Sequence, residues 1–304
     1  MALGTFARAL ARGLFSGRGL LIAVPLVWLV IFFLMPFLVV LKISVAEPVI
    51  AQPPFTPLVE VRDGTKLDIS VNLGNYAFLF TDVLYVSAYL ESIIIAGGST
   101  LICLIIGYPM ALYIARSPPG WRNVLLILVI LPFWTSFLLR VYAWIALLKD
   151  NGTINNLLIS LGLIATPIQM IQTNFAVYLA IVYTYLPFMV LPLYSTLAKL
   201  DEETLEAAAD LGATPLWTFL TVTLPLSVPG IVAGCLLVFI PAIGEYVIPA
   251  LLGGPDTLMI GRVLWDEFFV NRDWPIASAV AIAILLVVVV PIVLLRRNIT
   301  EGVR

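Results

Sequence analysis

The sequence predicts an all-α membrane protein with six transmembrane helices. Three observations carry that expectation. The 304-residue chain is 62% hydrophobic and only 11% charged. Its mean hydropathy is +1.08. Six continuous apolar stretches reach the length of about 20 residues that a helix needs to cross a bilayer. A water-soluble domain carries roughly 25% charged residues, so this chain has too much apolar surface for water to be its main solvent. The runs are continuous rather than alternating, which favours helices over barrel strands, and helices satisfy their backbone hydrogen bonds internally.

Taken in order, residues 1–19 form a basic N-terminal segment. The first span, 20–41, is followed by Ser44-Val45-Ala46, which resembles a cleavage site. The apolar run is too long for a signal-peptide core and reads as an uncleaved anchor. The loop 42–91 is the largest. Pro48, Pro53, Pro54 and Pro57 open it. Val59 and Val61 then alternate against Leu67, Ile69 and Val71 around Asp63-Gly64, which predicts a small hairpin. Such a loop suits a docking surface for an external partner and a solvated cap equally well. The remaining spans are 92–115, 124–148, 174–198, 226–252 and 275–295. Between the last two, Asp256 after Pro255 is expected to cap a short interfacial helix carrying Leu258, Trp265, Phe268 and Phe269. With the N-terminus inside, the inner segments hold nine basic residues in about 63 positions and the outer ones six in about 97. That asymmetry follows the positive-inside rule, so both termini are expected to be cytoplasmic.

Composition also excludes functions. There is no histidine, which removes imidazole metal sites, Ser-His triads and histidine proton relays. Cys103 and Cys235 lie in apolar runs without metal-ligand spacing and read as small hydrophobes. A net charge of −2 leaves no basic footprint for nucleic acid. None of Lys42, Lys66, Lys149 and Lys199 follows a glycine, so the phosphate-cradling Gly-Lys pair is missing. If ATP is used, another polypeptide hydrolyses it. No set of nucleophile, base and metal ligands can be assembled, and the chain is read as no enzyme.

The most informative polar segment is the loop 199–225. Asp201 is expected to cap a first short helix, with Glu202 and Glu203 favourably placed in its positive first turn. Alanines after Glu206 keep one face thin. Gly212 suits the left-handed conformation that ends a helix, and Thr214-Pro215 starts a second. Leu224-Pro225 is expected to close that helix before the fifth span. Glu206-Ala207-Ala208, three residues, Gly212, nine residues and Val222-Thr223-Leu224-Pro225 together resemble the EAA signature of binding-protein-dependent ABC permeases. Val222 stands where that family has isoleucine. The resemblance implies a type I importer (MetI-like) permease fold with its core at 88–297. It further implies that Glu206 anchors an ionic contact to an ATPase subunit, that Ala207 and Ala208 permit docking, and that Gly212 sets the turn.

The resemblance extends to the polyamine branch. It rests on Leu131-Pro132-Phe133-Trp134-Thr135-Ser136-Phe137, on the stretch from Val238 to Tyr246, on Leu251-Leu252-Gly253-Gly254-Pro255-Asp256 and on Asn271-Arg272-Asp273-Trp274-Pro275. It is closest to putrescine permeases, with spermidine/putrescine permeases next. It implies a second permease subunit, two ATPase subunits that bind ATP and Mg, and a periplasmic solute-binding protein, all in a bacterial inner membrane with lipid around the spans.

Residue chemistry supplies candidates for a cation path. Glu245 is the one acid within the expected spans, where ionisable groups are costly. Its span is interrupted by Pro229, Gly230, Pro241, Gly244 and Pro249, as in pathways where helices unwind around solute. Tyr246, Trp134, Tyr183 and Tyr185 offer aromatic faces for ammonium groups. Counted at ~1.5 Å per residue, Glu245 lies ~28 Å and Arg140 ~26 Å from the inner ends of their helices. A structural ion pair between them, or contact with interfacial water, is therefore the competing reading. Rival functions are a type I permease for another solute (spermidine, an iron chelate, a phosphonate) and a secondary transporter. The latter expects several coupling acids in the spans and internal repeats.

Overall fold

The computed structural model describes residues 17–62 and 66–301. Most of the N-terminal segment 1–19 and the hairpin turn at Asp63-Gly64 lie outside the described residues. The chain divides into two compact units, Met1–Thr81 with Asp266–Arg304, and Asp82–Trp265.

In the first unit, helix α1 (Gly17–Leu29), a π-turn (Val30–Leu34) and α2 (Met35–Ser44) form one continuous span. Pro36 follows one residue after the π-turn. Proline lacks an N–H and crowds the carbonyl four residues back, and the wider turn accommodates both defects. Apart from Ser44, the residues described in this span are not buried within the chain, as expected of a helix surrounded by lipid or other subunits. The expected hairpin is present: β1 (Val59–Arg62) pairs antiparallel with β2 (Lys66–Ile69), Val59 opposite Ile69 and Val61 opposite Leu67. A short helix α3 (Gly74–Thr81) follows. Its buried Asn75 donates to the carbonyls of Ser44 and Ala46, each at 2.9 Å, and locks the end of α2. The last helix of the chain, labelled α14 below, closes this unit. It runs Trp274–Glu301, packs on α2 and α3, and is capped by Asp273, whose carboxylate accepts from the Ile276 N–H at 3.0 Å.

The second unit opens with α4 (Val83–Arg116), capped by Asp82. This helix begins nine residues before the expected span 92–115, so Glu91 lies inside it rather than in front of it. The expected span 124–148 is not one helix. It consists of α5 (Pro119–Ile130), a 3-10 turn (Leu131–Trp134) and α6 (Phe137–Leu148), which with α7 (Thr153–Ser160) forms a pair of limbs bent by 88°. Pro132 tightens the turn, and the Thr135 hydroxyl takes the Pro132 carbonyl at 2.8 Å, leaving Thr135 and Ser136 extended. Depth counted along a straight helix therefore fails for Arg140. Helix α8 (Asn174–Leu197) matches its expectation within a residue.

The loop that follows folds into α9 (Glu202–Asp210) and α10 (Pro215–Thr218). Pro225 does not close the second helix. A π-turn (Phe219–Thr223) again precedes the proline, and α10 runs through it into α11 (Leu224–Ile243). The expected span 226–252 breaks at Gly244 into α11 and α12 (Val247–Leu252). Helix α13 (Ile260–Asp266) starts later than expected. Asp256 sits in a turn and caps nothing, while Met259, Ile260 and Val263 are buried.

The core of this unit is the mutual packing of α4, α8 and α11. Met189 on α8 is fully buried. A Cβ at Gly107 would lie 3.0 Å from its Cγ and one at Gly234 2.7 Å from its Sδ, so glycines on α4 and α11 admit it from both sides. Tyr108 and Ser227 hydroxyls meet at 2.9 Å between α4 and α11.

Candidate functional site

Two places carry the chemistry, both within the second unit. The first is the helix break at Gly244. The α11 backbone stops there, and a Cβ on Gly261 of α13 would meet the carbonyl oxygens of Gly244 and Glu245, so only glycine admits this approach. Glu245, 9% exposed, is held on both oxygens. Oε2 accepts from the Tyr185 hydroxyl at 2.5 Å. Oε1 accepts from the Val247 N–H at 3.1 Å and the Ile248 N–H at 3.5 Å, capping α12.

An aromatic series leads away from that carboxylate. Tyr185 packs against Phe188 at 6.1 Å, and Phe188 meets Phe133 edge-on at 5.1 Å. The Arg140 guanidinium sits over Phe133 at 5.1 Å and Phe137 at 5.8 Å. Its Nε and Nη1 are buried and make no hydrogen bond. The Glu245 oxygens are thus engaged by Tyr185 and the α12 backbone, while Arg140 is held by ring faces. In the sequence Arg140 reads as a counter-ion to Glu245 or as a residue reaching interfacial water. The available signal was its place as the lone basic residue in an apolar run.

The other candidates divide. Tyr185 reaches Glu245 directly. Tyr246, next to Glu245 in the chain, stacks on Trp265 at 4.4 Å. Tyr183 lies two residues from Tyr185 on α8, hence about 200° around the helix, and packs edge-on against Trp144 at 5.4 Å. Trp134 is 77% exposed in the 3-10 turn.

The second place is the α9–α10 turn. Asp201 occupies the N-cap position without a side-chain cap bond. Gly212 has φ +82°. Its N–H bonds the Ala209 carbonyl at 2.8 Å and the Ala213 N–H bonds that of Ala208 at 3.1 Å, the paired closure of a Schellman motif. Thr214 caps α10 through the Trp217 N–H at 3.4 Å. Glu206 and Ala207 are exposed and Ala208 is half-buried. Leu211, Leu216 and Trp217 are 89%, 68% and 61% exposed, an apolar surface gathered on the turn.

Multiple apolar spans, a broken helix holding a buried carboxylate and a helix-turn-helix with an exposed apolar face define a membrane transport subunit rather than an enzyme. The family described as "Binding-protein-dependent transport system inner membrane component" matches residues 104–303. The chain belongs to that family, the permeases of ABC importers. It is 42% identical over 264 residues to the spermidine/putrescine transport system permease protein PotB of Haemophilus influenzae, covering 86% of this chain and 87% of that one. The PotB protein of Escherichia coli is 41% identical over 260 residues, with 86% and 90% covered. The molybdenum transport system permease protein ModB of Mycobacterium bovis is 34% identical over 227 residues, with 75% and 84% covered. Among solved structures, a bacterial ABC transporter that imports the acidic polysaccharide alginate shares the fold at TM-score 0.70 and 17% identity, with 98% and 99% of the chains covered.

Proposed function

We propose that this chain is the permease subunit through which an ATP-driven importer passes a polyamine, putrescine foremost, from periplasm to cytoplasm. The transport core is residues 88–297, and both termini face the cytoplasm. The observation that carries the reading is the carboxylate of Glu245, buried at a helix break and steadied by Tyr185. A polycation needs a fixed negative charge and ring faces along its way, and the relatives named for spermidine and putrescine support that solute class. Tyr246, Trp134 and Tyr183 are the further aromatic candidates.

The chain works with a second permease, two ATPase subunits that bind ATP and Mg, and a periplasmic binding protein. The EAA-like turn at Glu206, Ala207, Ala208 and Gly212 seats in the ATPase, and the exposed Leu211, Leu216 and Trp217 supply its apolar contact. ATP-driven movement of that seat switches the path between its two openings.

The test is uptake of labelled putrescine and spermidine by the reconstituted complex, with and without ATP. Wild type is expected to take up putrescine only with ATP, and Glu245→Gln to lose at least about ten-fold, or 1.4 kcal/mol of differential binding. Equal uptake by Glu245→Gln overturns the path, and uptake without ATP overturns the importer. The unpaired N–H groups of Arg140 favour one second reading, an anionic solute. In that case competition by an oxyanion, abolished in Arg140→Gln, replaces competition by spermidine.

A further inference from the structure

Behind the coupling turn, a cavity of about 540 Å³ opens among the last turn of α4, the α4–α5 corner, the end of α8, the start of α9 and the π-turn before α11. Its charges are sorted by element. Arg116 and Arg122 line it from the α4–α5 corner, Asp201 and Glu206 from α9, and Leu112 and Leu197 add apolar wall. Thr223 lines it as well. This residue is 1% exposed, and its hydroxyl has no hydrogen-bond partner. Arg122 donates Nη2 to the Ala115 carbonyl at 2.9 Å, while its Nε is buried and unpaired. Buried polar groups are nearly always paired in native proteins. An orphan hydroxyl and an orphan guanidinium N–H on one cavity therefore point to a ligand rich in acceptor oxygens.

A plain anion fits the arginines but meets the carboxylates, and a plain cation has the converse problem. A molecule carrying a phosphate and a primary amine a few ångströms apart suits both walls. The cavity also lies where two membrane-crossing helices, α4 and α8, end, which is where headgroups of the bilayer gather. We propose that it holds the phosphoethanolamine headgroup of a membrane lipid, the phosphate between Arg116, Arg122 and Thr223 and the amine against Asp201 and Glu206. Lodged there, the headgroup ties the coupling helix α9 to the α4–α5 corner and makes the stiffness of the lever depend on lipid.

The experiment uses the whole importer, purified and delipidated, then given phosphatidylethanolamine, phosphatidylglycerol or soluble O-phosphoethanolamine. Native mass spectrometry reads retention and thermal unfolding reads stabilisation. Wild type is expected to retain phosphatidylethanolamine at least about ten-fold better than phosphatidylglycerol, and the soluble headgroup to displace it. Arg116→Gln should lose that preference. Thr223→Val, which removes the orphan hydroxyl, should melt no lower than wild type without lipid and yet gain nothing when lipid is added. A merely structural threonine would not give that pair of results. Equal retention of both lipids, or unchanged retention in the two variants, overturns the site. Binding of O-phosphoethanolamine with no retention of phosphatidylethanolamine reassigns the cavity to a soluble metabolite and overturns the lipid. Co-purification of the ATPase, followed in parallel, reports on the coupling turn separately.

Discussion

At Glu245 a structural role, shown by its bonds to Tyr185 and the start of α12, and the proposed recognition role are separable by substitution. Tyr185→Phe removes the donor to Oε2 and leaves a buried acceptor underserved, at a cost of about 1–3 kcal/mol. The expected outcome is a lower melting temperature with the carboxylate still present. Glu245→Gln keeps an oxygen for the α12 N–H groups and an amide towards Tyr185, so its loss should fall on uptake rather than on folding. Measuring both variants for melting and uptake assigns each role. Asp273 gives a pH test outside the spans. Desolvation by burial raises its carboxyl pKa above 3.8, the Ile276 N–H pulls it down, and Glu267 pushes it further up. An acid whose folded pKa is raised contributes stability below its unfolded value and loses it as pH rises through the folded one. At neutral pH the charge therefore costs stability. Asp273→Asn keeps the cap on α14 and removes that cost. Its melting temperature should exceed wild type at pH 7, and the gap should close as the pH falls to about 4.

At the scale of elements, the α9–α10 turn was legible because its signals are local. A left-handed glycine, a threonine cap and a first-position proline each act over one turn of chain. Gly212 has open space where a Cβ would go, so substitution there is opposed by φ +82° alone and not by a clash. Gly212→Ala should cost about 1–2 kcal/mol and weaken ATP-dependent uptake, and the β-branched Gly212→Val should abolish uptake while the chain remains in the membrane. Normal uptake by the valine variant would exclude the turn from coupling. The directions of the spans were not legible. An apolar run reports length and solvent, and nothing in it marks the 88° bend after Pro132, whereas Gly244 stood among the expected interruptions and is where the helix stops. One proline misled. Pro225 was expected to end a helix, yet a π-turn that stops one residue before it carries the helix through, as another does ahead of Pro36. Nothing in the composition of Val30–Leu34 or Phe219–Thr223 marks a wider turn, because it is selected by the geometry the proline imposes. The Tyr185–Glu245 bond joins residues 60 apart in sequence, a distance over which pattern carries no information.

On the scale of the whole molecule, the α9–α10 turn presents apolar side chains, Leu211, Leu216 and Trp217, that the chain alone leaves exposed. Leu211 is 89% exposed beside a turn already closed by its own backbone bonds, so it adds little to the stability of the chain. Leu211→Glu should therefore change the melting of the isolated subunit by no more than about 0.5 kcal/mol, the range of ordinary surface substitutions. An ATPase that covers this residue would have to bury an unpaired charge. At a central contact such a loss is about 2 kcal/mol or more, which is roughly thirty-fold in affinity. Co-purification of the ATPase with the variant, compared with melting of the subunit alone, reads the two quantities on one preparation. A variant that melts earlier but keeps its ATPase would mean that Leu211 supports the turn rather than the partner. Equal melting with the ATPase lost places the surface in the joint through which hydrolysis moves the spans.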